Sequence, residues 1–261
     1  MSHMKVLAII GSPRKKGNTM QVVERIREQL LAADKELDFE ILRLADMDLQ
    51  ICRGCFSCFA RGEESCPLKD DFTFIARKMA EADGIILAAP TYAMGVPALM
   101  KNFIDRFAYT LHRPCFFDKS FMAVSTVGGM MGLKETLNQL AILSAGCKSV
   151  HKLGITCSPV PIPIIDRRNE KQLRRVSAAF SRAMHKSTRR LPGLPDWAYF
   201  SSFKIMTAFK SYRLHCPADY AYYQRRELYF FNFDGHPVRR LTGKMVKILM
   251  GCGIKAMVKD N

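Results

Sequence analysis

Residues 5–33 read KVLAIIGSPRKKGNTMQVVERIREQLLAA, and they decide the fold. Lys5 to Gly11 is an apolar run of the kind that forms a parallel strand buried on both faces. MQVVERIREQLLAA, which follows, has the pattern of a helix. Between them SPRKKGNT places Ser12, Arg14, Asn18 and Thr19 around Gly17, ahead of a helix whose free N-terminal amides favour an anion. A phosphate group suits such a loop. It contains neither GxGxxG nor GxxxxGK[ST], which argues against a dinucleotide held by that fingerprint and against a nucleoside triphosphate. Asn18 and Thr19 also suit helix capping, so an ordinary strand-to-helix turn reads the same way at this point.

Working outward, Phe39 to Leu44 reads as a second strand, followed by a cysteine-rich segment from Ile51 to Pro67 and a helix over Asp70 to Ala82. Gly84 to Ala89 is a third buried strand, Ala98 to Leu111 a helix, Ser120 to Val127 a fourth strand, Leu133 to Ala145 a helix and Val150 to Cys157 a fifth strand. Strands alternating with helices predict an α/β fold, a doubly wound five-stranded parallel sheet with helices on both faces. In such sheets ligands sit beyond the carboxyl ends of the strands where the strand order reverses. With the order 2-1-3-4-5, three loops meet there.

The first of these loops is SPRKKGNT. The second, PTYAMG, fixes a turn with Pro90 and offers the Thr91 hydroxyl, Tyr92 and amides around Gly95, all able to touch a flat ring. The third, STVGGM, has Gly128 and Gly129, which let backbone approach a ligand. Each of the last two is also an acceptable plain turn. A phosphate at one end and a planar heterocycle at the other describe a mononucleotide such as FMN.

Three ordered stretches, GSPRKKGNT at 11–19, CRGCFSCFARGEESCPLKDDF at 52–72 and APTYAMGVPALMKNFIDR at 89–106, resemble the NAD(P)H-dependent FMN reductases of flavodoxin-like fold, including the iron-sulfur flavoproteins. The resemblance covers about the first 160 residues. It implies that Ser12, Arg14, Asn18 and Thr19, around Gly17, hold the FMN phosphate. It also implies that Pro90, Thr91, Tyr92, Met94 and Gly95 line the isoalloxazine, with Thr126, Gly128 and Gly129 on its other side. Hydride chemistry belongs to the flavin, so no acid-base residue is assigned. NAD(P)H is the implied co-substrate, and the acceptor is a free flavin, a quinone, a nitro compound or a protein.

Cys52, Cys55, Cys58 and Cys66 follow C-x2-C-x2-C-x7-C with Pro67 after the last. Thiolates two residues apart can wrap one cluster, and the run resembles that of the iron-sulfur flavoproteins except for its longer final gap. Three readings stand: a [4Fe-4S] cluster, free structural or redox-active thiols, and zinc. Cys115, Cys147, Cys157, Cys216 and Cys252 are scattered and are expected to be small buried hydrophobes. No charged-then-apolar leader opens the sequence, so free thiols in a reducing cytoplasm are the expectation.

The net charge of +16 is uneven: residues 1–165 carry 20 Lys and Arg against 17 Asp and Glu, and residues 166–261 carry 20 against 7. The expected division is an FMN-binding domain over 1–165 and a mainly helical, basic, aromatic-rich extension over 166–261. The extension offers a helix over Arg167 to Arg190, an aromatic helix around Tyr199 to Tyr212, the run DYAYYQRRELYFFNFD and a basic amphipathic helix over Arg239 to Val258. Its aromatic surface suggests an arm packed on the sheet domain or on another subunit of a homodimer or homotetramer. Lys244, Lys247, Lys255 and Lys259 beside an apolar face leave a membrane-surface helix open. Nucleic acid is disfavoured, because no RNA-recognition, helix-turn-helix or zinc-finger pattern is present. Besides the reductase, the sequence allows an electron carrier using a cluster, and a non-enzymatic redox sensor with a membrane- or nucleic-acid-binding arm.

Overall fold

The computed structural model describes residues 3–129, 131–232 and 235–257. Val258 and Lys259 of the expected last helix, and Phe233 and Asp234 of the aromatic run, lie outside the described residues, as does the Lys255 side chain. The chain forms two compact units. The first runs to Cys52 and takes in Lys69–Ala108 and Phe116–Arg189; the second comprises Arg53–Leu68, Tyr109–Cys115 and the residues from Arg190 on.

In the first unit, strands β1 (Lys5–Ile10), β2 (Asp38–Arg43), β3 (Gly84–Pro90), β4 (Ser120–Val127) and β5 (Ser149–Thr156) form one parallel sheet in the order β2-β1-β3-β4-β5. The helices are α1 (Asn18–Ala33), α2 (Phe72–Glu81), α3 (Ala98–Arg106), α4 (Leu133–Leu140) and α5 (Pro163–Met184). Alternation along the strands divides the core. Val6, Ala8 and Ile10, with Ile86, Ala88, Met122, Val124, Leu153 and Ile155, meet Val22, Val23, Ile26 and Leu30 of α1 and Leu173, Val176, Phe180 and Met184 of α5.

This packing corrects the expected boundary at 165/166. The basic helix is part of the sheet domain, because one stripe of it at helical spacing is buried in the core while its arginines face outward. The break falls between Arg189 and Arg190. The helix expected over Ala98 to Leu111 also divides. The Phe107 amide is shared between the carbonyls of Phe103 and Ile104 and that of Ala108 reaches Asp105, the tightened pattern of a helix end. A separate turn follows at Tyr109–His112.

The second unit contains α6 (Leu194–Met206), α7 (Lys210–His215), α8 (Pro217–Gln224) and α9 (Pro237–Met257), with one-turn helices at Ser57–Ala60 and Tyr109–His112. Its core is aromatic. Trp197, Phe200 and Tyr223 are fully buried; Trp197 meets Tyr229 edge-on at 5.1 Å, and Phe200 meets Phe230 at 5.0 Å. Beside this core lies a buried charge cluster. The Asp219 carboxylate accepts from Arg113 and from Tyr212 (3.1 Å) and pairs with His112 Nδ1 at 2.7 Å. Arg113 also donates to the Cys58 carbonyl (2.6 Å) and to Glu63 (2.9 Å). The cysteine segment from Arg53 is thus built into the same unit as the aromatic last third. The aromatics that suggested a surface awaiting a partner cover one another instead.

Candidate functional site

The loop after β1 is held from two sides. Its Gly11 amide donates to the Ala88 carbonyl at 2.8 Å, and a Cβ at Gly11 would stand 2.6 Å from that of Met100 on α3, so a side chain there is excluded. Gly17 is the N-cap of α1 in extended conformation, and no side chain caps the helix. The capping alternative for Asn18 and Thr19 is therefore not taken. Thr19 instead buries its hydroxyl 2.8 Å from that of Thr126, at the far end of β4. The first bond of α1 runs from the Gln21 amide to the Gly17 carbonyl, which leaves the amides of residues 18–20 without an acceptor in the helix. No acidic residue lies in that first turn. Ser12 is buried with its hydroxyl accepting the Arg14 amide at 3.3 Å, while Arg14, Lys15 and Lys16 are exposed. Uncapped amides, a small hydroxyl and three cations fit a phosphate monoester.

The second loop is tied down by hydrogen bonds. The Thr91 amide donates to the Thr126 carbonyl at 2.7 Å, and the Thr91 and Ser125 hydroxyls lie 3.1 Å apart. Tyr92 and Gly95 exchange two backbone bonds of 2.9 and 3.0 Å, closing a turn in which Ala93 (φ 46°) and Met94 (φ 69°) are both left-handed. Non-glycine residues in that region carry strain, of the kind that collects at ligand sites. Tyr92 and Met94 are exposed, so the turn presents an aromatic ring and a thioether outward. Pro90 ends β3 at the level of Thr126 on β4. Gly128 and Gly129 are exposed, and a Cβ at Gly129 would meet nothing within 4 Å. These residues leave room for a planar group beside the uncapped helix, and they fit FMN.

Several supporting residues carry no signal in the sequence. Gly132 has φ +79°, and a Cβ there would lie 2.8 Å from Met94 Cα and from Thr91 Cγ2, so only glycine lets α4 start beneath the turn. Gln139 accepts the Val96 amide at 2.9 Å. Asn102 and Arg106 on α3 hold the approach to the cysteine segment. Asn102 Oδ1 accepts the Cys52 amide (2.9 Å) and its Nδ2 donates to the Leu49 and Gln50 carbonyls. Arg106 donates to the Gln50 carbonyl and, with two bonds, to the buried Asp70. Burial alone would raise the Asp70 pKa; hydrogen bonds from Arg106 and from the Phe72 and Gln50 amides hold it below the usual value.

In the second unit, Phe56 (φ 59°) turns the chain left-handed between Cys55 and Cys58. Cys55 is exposed, and hydrogen bonding by the Ser57 side chain and amide lowers its thiol pKa, which favours a reactive thiolate. The four thiols have the donor chemistry of an iron-sulfur cluster, yet among the described residues no three His, Cys, Asp or Glu side chains stand together as a metal-ligand set. Of the five scattered cysteines only Cys147 is buried; Cys115 and Cys252 are exposed, Cys252 because it lies on the outer side of α9.

Residues 4–155 match the family described as NADPH-dependent FMN reductase. The chain belongs to that family. The description of that family names FMN and NADPH. It is similar to an iron-sulfur flavoprotein of Archaeoglobus fulgidus, 28% identical over 226 residues, spanning 85% of this chain and 99% of that protein. A second relative, an iron-sulfur flavoprotein of Methanocaldococcus jannaschii, is 47% identical over 104 residues. That match covers 40% of this chain and only about half, 51%, of the relative. Among solved structures, an NAD(P)H:quinone oxidoreductase from Methanothermobacter marburgensis superposes with a TM-score of 0.52 at 21% identity, over 72% of this chain and 100% of that one. The likeness shows the shared flavodoxin-like fold of a reductase-family sheet domain.

Proposed function

We propose that this reductase-family chain binds FMN across the ends of β1, β3 and β4, takes hydride from NAD(P)H and passes the electrons to a small-molecule or protein acceptor. The observation that carries the site is the uncapped start of α1 joined to the end of β4 by the Thr19–Thr126 hydroxyl pair. Ser12, Arg14, Asn18 and Thr19 around Gly17 would hold the phosphate. Pro90, Thr91, Tyr92, Met94 and Gly95 would line one side of the ring, and Thr126, Gly128 and Gly129 the other. The bound flavin supplies the two-electron chemistry. The chain's own part is to fix the turn at 91–95 rigidly, so that Tyr92 and the loop amides orient the ring. A homodimer or homotetramer in the cytoplasm belongs to the same proposal, since Tyr92 and Met94 stand exposed in one chain and a second subunit would exclude water from them. Anaerobic addition of NADPH or NADH to FMN-loaded protein tests the proposal: the visible band of the oxidised flavin should bleach. A band unchanged by both nucleotides refutes it.

A second reading has a specific observation behind it. The relatives above are called iron-sulfur flavoproteins, and Cys52, Cys55, Cys58 and Cys66 supply four thiols, so the chain would be an electron carrier in which a [4Fe-4S] group exchanges single electrons with FMN. Iron and acid-labile sulfide in anaerobically purified protein, lost in Cys55→Ser, would establish this reading; their absence leaves the reductase with free thiols.

A further inference from the structure

Helix α9 has two apolar faces, and the core of its unit uses one. On the inner face Gly243 lies against the Trp197 ring, where a Cβ would approach to 2.8 Å, and Ile254 is buried. The outer face carries Val238, Leu241, Met245, Ile248, Leu249 and Cys252, a spacing that keeps all six within about 100° of the helix circumference. Leu241, Met245, Ile248 and Leu249 are 61%, 56%, 65% and 70% exposed. One exposed leucine is ordinary, but a continuous stripe over four turns marks an interaction surface.

Charge identifies the partner. Arg239, Arg240, Lys244, Lys247 and Lys255 belong to the helix, and no acidic residue occurs from Pro237 to Met257. A second copy facing this stripe would bring the cations of the two helices together, with Glu227 a single carboxylate at the edge of the stripe. An anionic lipid surface neutralises them and takes up the apolar side chains. Beside the stripe runs a groove of about 500 Å³ lined by Ile205, Leu228, Ile248 and Gly251, with Lys244, Lys247 and the carboxylate of Glu227 also at it. It has the apolar lining and flanking ammonium groups suited to an acyl chain and its phosphate. Among the described residues no helix is long and apolar enough to cross a membrane, so attachment is to the surface.

We infer that α9 seats the protein on an anionic phospholipid bilayer, its outer stripe in the interface and its lysines and arginines on headgroup phosphates. The test is sedimentation of full-length, FMN-loaded protein with vesicles of phosphatidylcholine containing about 30% phosphatidylserine, and with pure phosphatidylcholine, at low and high salt. Binding to the anionic vesicles should exceed that to neutral ones by at least about tenfold and weaken with salt. Lys244→Glu with Lys247→Glu should cut partitioning by about 25-fold or more, at roughly fivefold per charge. Leu241→Gln with Ile248→Gln should abolish it. Leu241, Lys244 and Ile248 are exposed and Lys247 is half-buried, and unchanged dichroism and flavin content verify the fold. Protein left in the supernatant with anionic vesicles overturns the inference, as does binding that neither double variant reduces. A light-scattering mass that halves in Leu241→Gln/Ile248→Gln also overturns it, because a second copy then covers the stripe.

Discussion

Replacing Thr19 by valine removes one hydroxyl and keeps the side-chain volume. In the structure that hydroxyl and its partner on Thr126 are both buried and 2.8 Å apart. The change strands the Thr126 hydroxyl away from water, at a cost of about 1–3 kcal/mol. Thr126→Val should cost about the same. Replacing both leaves two apolar groups of the same shape in contact, which is nearly neutral, so the double variant should recover most of the loss, with a coupling of at least about 2 kcal/mol. In urea, a 2 kcal/mol loss moves the midpoint by about 0.7–1 M for a slope of about 2–3 kcal/mol/M. FMN titration of the same proteins separates structure from binding. Thr126→Val keeps the Thr19 hydroxyl for the phosphate and should retain most affinity, while Thr19→Val should lose about tenfold. Additive destabilisation would refute the pairing, and equal FMN affinity in all three variants would remove Thr19 from the phosphate site.

Three further outcomes follow from particular contacts. Gly132→Ala places a methyl 2.8 Å from Met94 Cα in a left-handed position; thermal unfolding should register a loss of more than about 1 kcal/mol, and FMN affinity should fall with it, whereas a neutral result would show that the 91–95 turn is not supported from below. Phe180→Ala empties a fully buried site on α5 and should cost about 3–5 kcal/mol; a loss under about 1 kcal/mol would return the helix to the extension. Asp70 titrates below its usual value in the folded protein, so its contribution is complete above the unfolded carboxylate pKa of about 3.9 and is lost as pH falls through the folded value. Urea midpoints between pH 5 and 2 should therefore fall less steeply in Asp70→Asn than in the parent, and parallel profiles would contradict the Arg106–Asp70 assignment.

The sheet was legible because its signals are local. Strands β1, β3 and β4 are largely apolar runs that end at Gly11, Pro90 and Gly128, and the strand order follows from the way such units wind. The loops at the strand ends could be named for the same reason. Long-range pairings could not: the Thr19–Thr126 bond spans 107 residues and the Arg113–Asp219 pair 106, and nothing near either residue announces its partner. The second unit draws on three separate stretches of chain, so reading in order made its last stretch look like an appendage. Helix α5 misled through composition. Its buried stripe of Leu173, Val176, Phe180 and Met184 is narrow among basic residues, and charge drew the boundary where packing does not. The aromatic run pointed to a partner because hydrophobic content was legible and its mutual burial was not.

The central claim is that the loop from Ser12 to Thr19 holds the phosphate of FMN. Titration of FMN-free protein with FMN, for the parent and for Arg14→Ala, tests it most directly, since Arg14 is exposed and its loss should leave the fold intact. One FMN per chain, bound about ten- to a hundredfold more weakly in the variant through loss of a charge-assisted contact worth about 1.5–3 kcal/mol, is the expected result. Identical affinity in the two proteins would contradict the claim.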